Sequence, residues 1–141
     1  MQKHTVEIYF GGSIRGGRDD QELYKQIIGL LSEYGTVLTE HVGRKTLSVM
    51  GEENLTDPEI YSRDMELLDR SQKRVFEVTN PSLGVGYEIA QAERDEGSSL
   101  CLYRPTEGKR LSAMIAGNPR LQVCEYHIVE DLRPVFDRFF Q

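Results

Sequence analysis

The chain has 141 residues, of which 38% are hydrophobic and 28% charged, with 17 basic against 23 acidic side chains and a formal net charge of −6. That length holds one domain whose core buries about two-thirds of the unfolded surface, and it is too short for two ordinary domains. An acidic balance without a basic tract argues against a nucleic acid polymer as the main partner, and apolar runs of only a few residues exclude a membrane span.

Strand and helix patterns alternate along the chain, which predicts a single α/β domain over residues 1–141 with a mainly parallel sheet flanked by helices. Residues 6–10 are the first strand, followed by a Gly-rich loop over 11–18. A helix over 19–34 carries Leu23, Ile27, Leu30, Leu31 and Tyr34 on one stripe, Gly35 ends it, and 36–39 form a short second strand. Residues 42–55 have little periodicity and contain Gly43 and Gly51, which predicts a mobile loop. Thr56-Asp-Pro-Glu59 reads as a capped helix start with an early proline, leading to a helix through Asp69. A third strand is expected at 75–78. The segment before it, Ser71-Gln-Lys-Arg74, is polar where parallel strands are normally apolar on both faces, which puts the length of that strand in question. A loop and helix around Glu88 follow, then strands at 99–103 and 121–125. The last helix spans 131–140, where Pro134 is tolerable only in the first turn.

Three places carry candidate chemistry. In Asn80-Pro-Ser-Leu-Gly-Val-Gly-Tyr-Glu88, a polar, Gly-rich loop gives way to a helical pattern carried by Val85, Ile89 and Ala92. This predicts Glu88 in the first turn of a helix, where unpaired N–H groups and the macrodipole would keep it ionised and fit to act as a nucleophile. A lone glutamate there also serves simply as a helix-end charge. The loop Gly11-Gly-Ser-Ile-Arg-Gly-Gly-Arg18 offers N–H groups, a hydroxyl and Arg15 or Arg18 to an anion, most naturally a phosphate. It lacks the Gly-x-Gly-x-x-Gly spacing and the Lys-Ser/Thr ending, so neither a nicotinamide dinucleotide nor ATP is indicated, and the same glycines are also ordinary turn chemistry. Asp64 lies four residues from both Ile60 and Leu68, on the inward stripe of its helix, where a carboxylate is costly unless it is paired or lines a cleft. Loops after the first and third strands share the carboxyl edge of a parallel sheet, so Tyr9, Ser13, Arg15, Asp64, Ser82 and Glu88 are candidates for one pocket. Cys101 and Cys124 show no Cys-x-x-Cys or Cys/His clustering and are expected to be reduced, structural thiols. His41 and His127 have no metal-spaced partner, so no metal site is expected.

The segments Tyr9-Phe-Gly-Gly-Ser-Ile-Arg-Gly-Gly-Arg18, Gly35-Thr-Val-Leu-Thr-Glu-His-Val42, Glu77-Val-Thr-Asn-Pro-Ser-Leu-Gly-Val-Gly-Tyr-Glu88 and Leu111-Ser-Ala-Met-Ile115 together resemble the 2′-deoxynucleoside 5′-phosphate N-hydrolases of the nucleoside deoxyribosyltransferase superfamily. The likeness runs from Tyr9 nearly to the end of the chain, with Gly at position 11 where relatives can carry a larger residue. It implies a Rossmann-like, flavodoxin-like sheet of five strands. It also implies cleavage of the N-glycosidic bond of 2′-deoxynucleoside 5′-monophosphates to a free base and 2-deoxyribose 5-phosphate, in a homodimer with shared active sites and without metal or cofactor. Glu88 matches the nucleophile that forms a covalent glycosyl intermediate, Asp64 a general acid or base-positioning group, and Tyr9 a residue that orients Glu88 and crowds a 2′-hydroxyl. Substrate and phosphate contacts are implied for Gly12, Ser13, Ile14, Arg15, Gly16, Ser82, Gly84 and Met114, with Ser112 reaching the phosphate from the partner subunit.

That assignment agrees with the chemistry, since the breaking bond develops oxocarbenium character that a carboxylate beneath the sugar can stabilise and then trap. A deoxyribosyltransferase would use the same nucleophile on nucleosides, without need of a phosphate loop, and a non-catalytic nucleotide-binding module would use Glu88 only as a helix-end charge. The N-terminal Met-Gln-Lys-His-Thr lacks the apolar stretch of a signal peptide, so a soluble protein of the cytoplasm, with the nucleus also open to it, is expected.

Overall fold

The computed structural model describes residues 5–14, 20–39, 55–94 and 98–141. Five strands, β1 (Glu7–Gly12), β2 (Thr36–Val37), β3 (Lys73–Glu77), β4 (Ser98–Tyr103) and β5 (Gln122–Glu125), form one all-parallel sheet in the order β2-β1-β3-β4-β5. Helices α1 (Gln21–Leu31), α2 (Asp57–Arg70), α3 (Leu83–Ala92), α4 (Ala113–Ala116) and α5 (Leu132–Phe139) make the crossovers and the C-terminal cover. The chain runs outward from β1 to β2 and then returns past β1 to β3, so strand order reverses between β1 and β3. In a doubly wound sheet that reversal opens a crevice at the carboxyl ends of those two strands.

Period-two alternation along β1 divides the core in two. Ile8 and Phe10 enter one layer with Ile27 and Leu31 of α1 and Leu132 and Phe136 of α5, while Tyr9 enters the other with Leu68 of α2 and Val85 and Ile89 of α3. Of the stripe expected on α1, Ile27, Leu30 and Leu31 are buried while Leu23 and Tyr34 are half-buried at its edge, with Tyr24 and Ile28 buried beside them, and each fully buried aliphatic or aromatic side chain contributes roughly 1.5–3 kcal/mol by leaving water. α2 starts as its sequence indicates, with a reciprocal capping box between Thr56 and Glu59 and Pro58 in the first turn. β2 is shorter than expected because Thr39 leaves the ladder: its hydroxyl accepts from Phe10 N at 2.8 Å and donates to Phe10 O at 2.7 Å.

β3 departs from expectation in a way that explains its polar start. The strand begins at Lys73, so both basic residues lie inside it. Arg74 is only 1% exposed, and its guanidinium donates to Leu68 O at 3.1 Å, Ser71 O at 3.2 Å and Ala92 O at 3.4 Å. These carbonyls belong to the last turn or C-cap of α2 and the last residue of α3, where backbone oxygens are under-satisfied within the helix and the helix dipoles are negative. Lys73 lies on the other face, its Nζ 4.6 Å from the ring centroid of Phe139. α4, a single turn, is an element that periodicity does not reveal, and α5 begins after a 3-10 turn at Val129–Asp131. Cys101 is buried, which pushes its thiol up to about 12, and Cys124 is half-buried; both are free. The loop expected at 42–55 lies outside the described residues apart from Leu55, and no described helix is long and apolar enough to cross a membrane.

Candidate active site

Tyr9, Asp64 and Glu88 come from β1, α2 and α3 and meet beside the β1/β3 reversal. The Tyr9 hydroxyl donates to the Glu88 carboxylate, and burial followed by the negative charges of Glu88 and Asp64 drives the phenol's ionisation far upward, so Tyr9 is a permanent donor. Glu88 Oε2 is fully enclosed and accepts no hydrogen bond from any described residue. Its approach to the sheet is permitted by Gly11, since a Cβ at that position would lie 3.1 Å from Oε2 and 2.9 Å from Phe76 Cδ1. One carboxylate oxygen is thus held by Tyr9 while the other is buried and accepts no hydrogen bond from the described residues.

The environment of Glu88 corrects the reading from sequence. α3 is capped by Ser82, whose Oγ accepts from Val85 N at 3.2 Å, so Glu88 stands in the second turn. Its partners are therefore side chains, and the unpaired N–H groups at the helix start do not serve it. Burial raises its pKa to about 7; the Tyr9 hydrogen bond opposes the shift, Asp64 adds to it, and Arg63 opposes it. Glu88 therefore takes up a proton near neutrality, where a first-turn carboxylate would have remained ionised.

Asp64 is on the inner side of α2 as its spacing indicated. Its Oδ1 accepts from Arg63 Nε at 3.0 Å and forms an ion pair with Nη2 at 2.9 Å. Arg63 was not anticipated, because adjacent residues on a helix normally point about 100° apart and carry no spacing signal. Farther out, α2 and α3 are joined by Tyr61 and Tyr87, with hydroxyls 3.3 Å apart and ring centroids 6.1 Å apart.

Among the loop residues, Gly12 lies against Tyr24, whose Cζ would be 2.9 Å from a Cβ at that position, Ser13 is buried, and Ile14 is half-buried. Arg15 and Gly16 lie outside the described residues. Gly84 is exposed beside Ser82. Ser82, Ser112 and Met114 line a cleft of about 540 Å³ between α3 and α4, together with Leu83, Ile89, Leu111 and Ile115. Tyr9, Asp64 and Glu88 do not line it. Gly86 and Ala90, which do, are each two residues from Glu88 and so roughly 160° around the helix from it. Within one chain, then, Ser112 and Met114 share a cleft with Ser82 that Glu88 does not line. Leu83, at 97% exposure, and Met114, at 81%, leave this second face strongly apolar and open. His127 is exposed; His41 lies outside the described residues. Among the described residues, no group of three His, Cys, Asp or Glu side chains is placed to hold a metal ion.

Residues 8–113 match the sequence profile of the nucleoside 2-deoxyribosyltransferase family. The chain is 46% identical over 138 residues to the 5-hydroxymethyl-dUMP N-hydrolase of Tetraodon nigroviridis, covering 96% of this chain and 97% of that protein. The human protein of the same name is also 46% identical over 138 residues, with 95% of this chain and 79% of the human one covered. A Nematostella vectensis protein, provisionally named 2′-deoxynucleoside 5′-phosphate N-hydrolase 1, is 55% identical over 143 residues, covering 98% and 96% of the two chains. With more than half its length matched by the profile, and with relatives this similar along nearly the whole sequence, the chain belongs to the nucleoside 2-deoxyribosyltransferase family.

Proposed function

We propose that this protein hydrolyses the N-glycosidic bond of 2′-deoxynucleoside 5′-monophosphates, releasing the base and 2-deoxyribose 5-phosphate. The observation that carries the reading is the buried, unpaired Oε2 of Glu88, whose companion oxygen is held by Tyr9 beside Asp64. Ionised Glu88 attacks the anomeric carbon as the base departs, forming a glycosyl ester, and water then cleaves the ester. Asp64, oriented by Arg63, faces the leaving base and steadies it through a hydrogen bond. Ser13 and Ser82, with neighbouring N–H groups and Arg15, receive the 5′-phosphate.

The same reading makes the active unit a homodimer. Ser112 and Met114 line an open apolar face that the carboxylates of their own chain do not line, which supports their serving the site of a second subunit. Ser112 of the partner subunit then completes the phosphate site. A cytoplasmic and nuclear setting fits a nucleotide-handling enzyme of this kind.

The test is a panel of 2′-deoxynucleoside 5′-monophosphates, with 5-hydroxymethyl-dUMP among them, each paired with its nucleoside and its ribonucleotide, read by base release. Release from deoxynucleotides alone is expected. Equal rates on nucleosides would favour the transferase reading, which a second free base as acceptor would reveal, and binding without release would favour a non-catalytic module.

A further inference from the structure

Asp64 and Glu88 stand on different helices, so the distance between them is only as fixed as the gap between α2 and α3. On the sheet side that gap is filled. Leu68 of α2 packs with Val85, Ile89 and Ala92 of α3 in one core layer, and the Arg74 guanidinium reaches Leu68 O and Ser71 O at the end of α2 as well as Ala92 O at the end of α3. The exposed side is closed by a different pair. Tyr61 of α2 and Tyr87 of α3, 54% and 46% exposed, put their ring centroids 6.1 Å apart at an interplanar angle of 57°, with hydroxyls 3.3 Å apart.

The placement of this pair relative to the carboxylates is what gives it a role. Tyr61 comes three residues before Asp64, one turn away on the same side of α2, and Tyr87 comes immediately before Glu88. Along both helices the carboxylates therefore fall between two bridges, the tyrosines toward the helix starts and Arg74 at the helix ends. Two bridges fix a spacing that one would leave free to splay. Tilted rings at this separation attract each other, whereas two exposed hydroxyls exchange with water at little net gain, so the ring contact is what holds. Little slack is tolerable, since the two carboxyl groups of a retaining glycosidase stand roughly 5–5.5 Å apart.

We propose that Tyr61 and Tyr87 are positioning residues whose ring contact sets the gap between α2 and α3, and with it the reach from Glu88 to Asp64 across a bound sugar. This rests on the hydrolase reading above. The pair acts through the two helices rather than on the substrate, and a misplacement of about 1 Å in such an arrangement costs up to about a hundredfold in rate.

The experiment compares wild type, Tyr61→Ala, Tyr87→Ala, the double alanine variant and Tyr61→Phe/Tyr87→Phe. It reads steady-state base release from 2′-deoxynucleoside 5′-monophosphates, melting temperature and the carbon-13 titration of labelled Glu88. Each alanine substitution is expected to lower kcat about ten- to a hundredfold while KM changes less than about threefold. The double variant should fall no further than the worse single one, because both substitutions remove the same contact. Loosened helices admit water to Glu88 and carry Asp64 away from it together with Arg63. Burial and Asp64 outweigh Arg63 in holding the Glu88 midpoint near 7, and Tyr9 stays in place on β1, so the midpoint should drop in the alanine variants. Tyr61→Phe/Tyr87→Phe keeps the ring contact and should retain kcat within about threefold of wild type and an unmoved midpoint. Wild-type turnover in the alanine variants, or turnover that falls with melting temperature while the Glu88 midpoint stays at its wild-type value, overturns the positioning role. A wild type that releases no base from any deoxynucleotide overturns the reading beneath it.

Discussion

Glu88 Oε2 stands so near Gly11 that a single added methyl on the strand would lie 3.1 Å from the carboxylate and 2.9 Å from the Phe76 ring. With no side chain at position 11 the carboxylate sits close against the sheet, its other oxygen on Tyr9.

Gly11→Ala should therefore displace Glu88, because Phe76 is fixed in the core and the carboxylate is the more mobile neighbour. Turnover is expected to fall about ten- to a hundredfold by misplacement, with overpacking costing about 1–3 kcal/mol of stability. Steady-state kinetics with urea unfolding measure both. Unaltered turnover would mean that the close approach of Glu88 to Gly11 does not position the carboxylate for reaction.

The titration of Glu88 gives a pH dependence with a definite sign. Attack requires the carboxylate, so the acid limb of kcat/KM should fall as pH drops below about 7. Carbon-13 NMR of labelled Glu88 should show that midpoint directly, lower in Asp64→Asn, which removes a like charge, and higher in Tyr9→Phe, which removes a donor. For stability, the native pKa lies above the unfolded one. The native state holds the proton more tightly, so this contribution is complete below pH 4.5 and is lost as pH rises through about 7. Glu88→Gln should abolish turnover by at least about a thousandfold while unfolding no more easily than wild type at pH 8. In the wild type, added methanol should intercept the glycosyl ester and give a methyl glycoside of retained configuration.

Arg74 should prove more important to the fold than its charge suggests. Arg74→Met keeps much of the volume but removes the donor to the carbonyls of Ser71 and Ala92 and one of the donors to Leu68 O, and the expected loss is about 3 kcal/mol in urea unfolding. Arg74→Lys should recover little, because one ammonium does not span the ends of two helices. Lys73→Ala, which loses only a contact with Phe139, should cost less than about 1 kcal/mol.

The apolar face around Leu83 and Met114 leads to a prediction about assembly. Sedimentation should give about twice the chain mass of 16.1 kDa, and Leu83→Glu or Met114→Glu should yield monomers. If Ser112 serves a neighbouring site, those monomers should lose base release while Glu88 still titrates near 7. A fully active monomer would place the whole phosphate site within one chain.

Local spacing determined much of this protein. Alternation along β1, the stripe of α1, the capping box of Thr56 and Glu59 and the inward placement of Asp64 all follow from neighbours within a few residues, and tertiary packing leaves them in force. What spacing does not carry is the company kept by side chains far apart in the chain. Polarity alone left the length of β3 in question, yet Lys73 and Arg74 lie within the strand, because two helix ends converge on that arginine. Counting along the loop put Glu88 in a first turn, whereas Ser82 begins the helix and leaves Glu88 a turn deeper. The ion pair of Asp20 and Arg104, 84 residues apart, registers in no pattern until the sheet sets β1, β3 and β4 side by side. Sequence by itself determined which residues are candidates for the chemistry, because identity and periodicity are local. Tertiary structure alone decided their protonation, pairing and spacing, because Coulomb and desolvation energies depend on distances of a few ångströms that only the assembled fold sets.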